Sequence, residues 1–147
     1  MTTVLIIIAF LVIFPLFWIA INYLTAKISG WATMAKYYRT DLKPEGYAKS
    51  MTSGTVGWAR YNYVLNIVIN EEGLYMSTIS LFSIAHPPVF IPWEHIELRG
   101  KVDFLLIVRQ RLSVFTPSGK RIAKVLLSRS IFEEAERVIP ASIDGTH

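Results

Sequence analysis

The side chains able to do chemistry are few in this chain. Its histidines are His86, His95 and His147, and it has no cysteine. His86 precedes two prolines and His95 follows Glu94. A structural or catalytic metal centre needs three or four ligands at defined spacing. No such spacing recurs, so no metal is expected. Glu94 and Glu97 could form a carboxylate pair for acid–base work, but near a strand start they read better as exposed charges. No Ser–His–Asp or Cys–His set can be assembled, and the lack of thiols excludes cysteine chemistry. Ser118-Gly119-Lys120 is far too short to be a phosphate-cradling loop. The expectation is a protein that is not an enzyme and takes no cofactor.

What the chain does hold is positive charge, unevenly placed. The net charge is +4. Lys27, Lys36, Arg39, Lys43, Lys49 and Arg60 face only Asp41 and Glu45 along the first basic stretch. The stretch from Tyr61 to Leu98 has four carboxylates and no Lys or Arg. A second basic stretch follows, with Arg99, Lys101, Arg109, Arg111, Lys120, Arg121, Lys124 and Arg129 opposed by Asp103 alone. These eight are candidate contacts for a lipid or a partner, or else a solvated charged face. Strand alternation should divide Arg109, Arg111, Lys120 and Lys124 between two faces. Basic strands could also meet nucleic-acid phosphates. No nucleic-acid motif accompanies them, so no nucleic acid is expected.

The element that must position all of this is the first one. Met1 to Ala26 carry no charged side chain, and Lys27 ends the run. A core of apolar residues from Val4 to Ile21 is long enough to cross a bilayer, since ~20 residues at ~1.5 Å each match a hydrocarbon layer of roughly 30 Å. No Lys or Arg precedes it, the core is longer than that of a signal peptide, and Tyr23-Leu24-Thr25-Ala26 is a poor cleavage site. A retained anchor over residues 1–26 is the reading. The cluster Lys27 to Lys49 then places the following domain in the cytoplasm. Pro15 should kink the helix, and Trp18 and Tyr23 suit the interfacial aromatic belt.

Residues 27–53 read as a juxtamembrane segment. Trp31, Met34, Ala35 and Tyr38 follow i, i+3, i+4, i+7, the stripe of a short amphipathic helix. Two uses of that stripe are open. It lies on the membrane with Trp31 and Tyr38 at headgroup level, beside Lys27, Lys36 and Arg39, or it packs on the folded domain. Asp41 to Ser53 reads as a connector.

Residues 54–147 read as one small domain. Tyr61 to Ile69 alternates, with Tyr61, Tyr63, Leu65, Ile67 and Ile69 on one face. Asn70 to Gly73 is a turn and Leu74 to Phe82 the partner strand. Val89 to Trp93 is a short strand whose Pro92 belongs on an edge. Strands follow at Ile96–Arg99, Val102–Arg109, Leu112–Thr116 and Arg121–Leu127, with a tight turn at Pro117–Lys120. A final helix carries Ile131, Phe132, Ala135, Val138 and Ile139, opened by a Ser130–Glu133 capping box and stopped by Pro140. The fold class is α+β, mainly β: an anchor helix, a short helix, then six or seven antiparallel strands closed by the terminal helix, with Trp93 and Phe132 buried.

Gly73-Leu-Tyr-Met-Ser77 and His86-Pro-Pro-Val-Phe-Ile-Pro-Trp-Glu-His-Ile96 resemble uncharacterised bacterial single-span membrane proteins with a pleckstrin-homology-like domain. The Ser29-Gly-Trp31 to Tyr38-Arg39 stretch is similar too. The resemblance implies a pleckstrin-homology-like barrel on a bacterial inner membrane. It implies no activity, because such folds host lipid binding, peptide binding and scaffolding alike. Lipid-binding members often place basic residues at the first hairpin turn, where this chain has Glu71 and Glu72. Three functions therefore stand at the level of sequence. The first is a membrane-anchored adaptor or accessory subunit, whose partners are membrane lipids and another membrane protein. The second is a sensor of anionic lipid, and the third an enzyme with an unrecognised site.

Overall fold

The computed structural model describes residues 1–83, 85–104 and 107–134, with the backbone alone at 99–104, 107, 108 and 134. Helix α1 (Thr2–Ser29) runs through Pro15 without a break and ends at Gly30, which takes the left-handed conformation at φ 93°. Its 28 residues correspond to about 42 Å of helix, some 12 Å more than a hydrocarbon layer needs. Helix α2 (Trp31–Tyr38) follows directly.

Seven strands then form one antiparallel sheet: β1 (Tyr47–Val56), β2 (Ala59–Ile69), β3 (Gly73–Thr78), β4 (Val89–Pro92), β5 (Ile96–Phe104), β6 (Ile107–Phe115) and β7 (Arg121–Ser128). Their order in the sheet is β4-β3-β2-β1-β7-β6-β5. The two edge strands, β4 and β5, are joined by a single 3-10 turn at Trp93–His95. The connection brings the edges toward each other, so the sheet curls into a nearly closed barrel. Closure of this kind protects strand edges that would otherwise invite pairing with other chains. Pro92 sits on edge strand β4, where its missing donor costs no ladder bond. Helix α3 (Arg129–Glu134) packs on β6 and β7.

The core is aliphatic, with Leu65, Ile67, Ile69, Leu74, Met76, Ile91, Leu112, Val125 and Leu127 buried along the strands. Trp93 and Phe132 are buried as expected, at the 3-10 turn and on α3. The Asn70 turn is held from several sides. Its side-chain oxygen accepts from the N–H groups of Glu72 and Gly73, and its carbonyl accepts from the Trp93 indole at 2.7 Å.

Several expectations are corrected. Tyr47 to Ser53 belong to β1, paired with β2, so the connector is shorter than the 41–53 expected from Pro44 and Gly46. The β2 alternation breaks at Tyr63, which is 71 % exposed and has φ 59°. Met51 on β1 also has positive φ, and the β1–β2 register shifts between Lys49 and Gly54. Side chains replace the lost ladder bonds there: Asn66 Oδ1 accepts from Met51 N–H at 3.1 Å, and Ser53 Oγ from Tyr63 N–H at 2.9 Å. A bulge of this kind bends the strand and turns a side chain outward. Strand β3 stops at Thr78 rather than Phe82. The three short strands expected between Ile96 and Thr116 are two long ones, because Gly100 and Lys101 continue the ladder opposite Arg111 and Gln110. Helix α3 begins at Arg129, so Ser130 is inside it. The Ser130 hydroxyl meets Ser128 at 2.9 Å and Glu133 reaches Arg129 at 3.6 Å, in place of the capping box. Ala135, Val138, Ile139 and Pro140, expected to complete and stop this helix, lie outside the described residues.

Candidate functional site

The most heavily built part of the molecule is the joint between α1 and the barrel. The first part of α1 is bare. Its apolar side chains from Val4 to Phe17 are mostly about half exposed or more. From Trp18 onward one stripe of the helix changes character. Trp18, Asn22, Ala26 and Ser29 recur at i, i+4, i+8 and i+11, which keeps them on one face. Trp18 donates its indole N–H to the Leu81 carbonyl at 3.1 Å and packs against the Phe82 ring. Asn22, Ala26 and Ser29 are buried.

Glycines permit the close approach. A Cβ on Gly57, at the β1–β2 turn with φ 58°, would lie 2.2 Å from the Ser29 carbonyl oxygen. A Cβ on Gly30 would press on Ala123 of β7 at 3.0 Å. Only residues without a side chain let the end of α1 sit against the sheet this way.

Below the joint lies a sealed polar cluster. Tyr61 Oη is 2.8 Å from His86 Nε2 and 3.3 Å from Ser29 Oγ. His86 Nδ1 is 3.0 Å from the Phe82 carbonyl oxygen. A carbonyl only accepts, so Nδ1 carries the proton and the neutral ring's Nε2 accepts from the Tyr61 phenol. Trp31 covers the cluster. It is fully buried, contacts both rings, and donates its indole N–H to the Pro87 carbonyl at 2.9 Å. Burial pushes the His86 imidazole below its usual value, partly offset by the bond to Phe82. Burial also raises the Tyr61 phenol, partly offset by Ser29. Tyr61 is 4 % exposed and His86 0 % exposed, so both rings are packed in the interior. The arrangement holds α1, β2 and the β3–β4 segment together.

The joint settles the use of the α2 stripe. Trp31, Met34 and Tyr38 are buried in the domain, with Tyr38 donating its hydroxyl to the Phe115 carbonyl. Burial, with Glu94 adding to it, raises the Tyr38 phenol. The expected membrane-interface position of Trp31 and Tyr38 is therefore corrected: at 0 % and 7 % exposed, they are packed inside the domain. Tyr23, Lys27, Lys36 and Arg39 are exposed. They surround an open groove of about 580 Å³ between α1 and α2.

The second basic stretch is also placed. Arg109 and Arg111 are two apart on β6, Arg109 pairs Ser128, Arg111 pairs Leu126, and Ser113 pairs Lys124. Directly paired residues share a face, so Arg109, Arg111 and Lys124 stand together on the outside of the sheet. Three of the four residues expected to divide between faces thus share one, because the β6–β7 register aligns the outward positions. Lys120 lies in the adjoining turn. Arg121 and Lys124 line a cleft of about 440 Å³ shared with Ile28, Gly57 and Trp58. Trp58 is 90 % exposed. Arg129 is engaged elsewhere, donating to Gln110 Oε1 at 2.5 Å. Arg99 and Lys101 lie on β5, and their side chains are outside the described residues.

Glu94 and Glu97 are both exposed. Among the described residues no three His, Cys, Asp or Glu side chains come together as a metal site. His147 lies outside the described residues. Sequence reasoning missed the joint. The signal was present in the stripe Trp18, Asn22, Ala26, Ser29, which interrupts an otherwise uniform apolar helix with small and polar residues. Set beside models of protein families, curated proteins and solved structures, the chain matches none of them.

Proposed function

We propose that this protein is a membrane-anchored, non-catalytic interaction module, an adaptor or accessory subunit of a membrane protein complex. The observation that carries the reading is the joint. A tethered enzyme tolerates a flexible linker, whereas here the end of α1 is packed into the domain it carries. A domain fixed on its span presents the same faces to neighbours in the membrane at all times, which is the requirement of a scaffold. The polar clusters support the reading in being sealed or structural. In this proposal α1 crosses the inner membrane of a bacterium, the barrel is pleckstrin-homology-like, and the domain lies in the cytoplasm beside the Lys27 to Lys49 cluster. The cleft where the exposed Trp58 meets Arg121 and Lys124 is the surface offered to a partner, since exposed Trp beside Arg is the usual material of binding hot spots.

The test is the size of the particle extracted in mild detergent from its native membrane. The full chain should migrate in an assembly larger than itself plus a micelle, and Trp58→Ala combined with Arg121→Gln should release it. A lone monomer under every extraction condition would contradict the adaptor reading. A reporter active only outside the cytoplasm, fused after His147, should be silent. Strong activity would reverse the orientation.

A further inference from the structure

The groove between α1 and α2 is cationic, open and correctly placed for a lipid. Its walls are Tyr23 and Lys27 from α1, Ala32 and Lys36 from α2, and Arg39 just past the end of α2. Its floor is small and apolar: Ala26 is 1 % exposed, and Ala85 at the far wall is 5 % exposed. No carboxylate lines it. Among the described residues Lys27, Lys36 and Arg39 are in no ion pair; Lys36 Nζ lies 5.7 Å from the centre of the neighbouring Tyr37 ring. Three like charges held around one concavity repel each other, and an anion between them relieves that repulsion.

The height of the groove is set by an independent observation. A hydrocarbon layer of roughly 30 Å takes up about 20 residues of helix, which the uncharged apolar core from Val4 to Ile21 nearly supplies. The first buried polar residue of α1 is Asn22. Tyr23 is then at the interface, and Lys27, four residues on, is about 6 Å higher, within the headgroup layer. Arg39, nine residues past Gly30, lines the same groove as Tyr23, so α2 folds back toward the bilayer rather than away from it. The mouth of the groove therefore opens where lipid phosphates lie.

We propose that this groove holds the headgroup of one anionic phospholipid, its phosphate among Lys27, Lys36 and Arg39 and its acyl chains running down α1 past Tyr23. The inference rests on α1 spanning the membrane, as proposed above. It is independent of the basic face on β6 and β7, and it assigns lipid contact to a place that face does not occupy. A resident lipid at this point would tie the joint to the membrane surface and fix the tilt of the domain.

The full chain in detergent, titrated with phosphatidylglycerol or phosphatidylcholine and read by native mass spectrometry, tests this. One phosphatidylglycerol per chain should be retained at concentrations about tenfold lower than phosphatidylcholine. K27Q/K36Q/R39Q should abolish the preference, and K120Q/R121Q/K124Q should leave it intact. Ala32→Leu, which fills the groove without changing charge, should also reduce retention severalfold. Equal retention of the two lipids would overturn the proposal, as would a preference that survives the groove triple or falls equally in the control triple. Full displacement by millimolar glycerophosphate would show a soluble-anion site and overturn the lipid assignment. Extraction of the chain from membranes by alkaline carbonate would instead remove the spanning premise, so the two failures are distinguishable.

Discussion

The two ends of α1 are made of similar residues and do different work. From Val4 to Phe17 the helix is apolar all round and bare, the composition of a segment that meets lipid on every side. From Trp18 to Ser29 it is equally continuous, but one stripe is buried against the barrel. What separates them is local: an indole N–H finding a loop carbonyl, an amide and a hydroxyl taken out of solvent, and two glycines, Gly30 at the helix end and Gly57 opposite it, that allow close approach. A helix long and apolar enough to cross a membrane can therefore also be a structural member of the domain within a single run of hydrogen bonds.

The contrast is sharpened by substitutions that separate the ends. Trp31→Ala removes the fully buried residue over the joint and should cost ~3–5 kcal/mol. The measurement is denaturant unfolding of the full chain in micelles. Phe10→Ala, in the bare half, should leave that unfolding curve in place. A Trp31 variant as stable as the parent would mean the joint is not a packed core. Tyr61→Phe should cost less, ~1–3 kcal/mol, because it leaves His86 Nε2 buried without its donor. Thermal unfolding of the same sample distinguishes the two sizes.

The His86 environment gives a pH signature of the joint. Burial depresses its folded-state pKa below the unfolded value near 6.5. Above that value the ring is neutral in both states and contributes no pH dependence. As pH falls below it, the unfolded chain binds the proton first, so stability declines until the folded pKa is passed. The midpoint should drop between pH 7 and 5, and the drop should be smaller in His86→Gln. An identical slope in the two proteins would remove His86 from the account. The smallest expected stability change is at Trp58. Its side chain is 90 % exposed, so Trp58→Ala should shift stability by no more than ~0.5 kcal/mol while weakening any partner assembly.

Much of the fold was legible because it rests on periodicity. The apolar run of α1, the alternation of β2, the Asn70 turn and the edge placement of Pro92 each follow from local rules. The α2 stripe was legible as a stripe, but Trp31, Met34 and Tyr38 show the same spacing whether they meet lipid or a barrel. Only tertiary contact decides between the two. Tyr63 and Met51 could not be foreseen, since a bulge leaves no mark when the residue at positive φ is not glycine. The shared face of Arg109, Arg111 and Lys124 was missed because alternation within one strand says nothing about the register between two. The joint itself was hidden in a helix that composition had already assigned to lipid.

The central claim is that α1 and the barrel move as one body, and spin-label distance measurement tests it most directly. The chain has no cysteine, so labels introduced at Val12 and Ser118 report without background. In lipid nanodiscs the account predicts a single narrow distance distribution for the otherwise native chain. The distribution should broaden in Gly57→Ala, whose added Cβ would collide with Ser29. A broad distribution in the native chain, unchanged by Gly57→Ala, would show a domain swinging freely on its anchor and contradict the account.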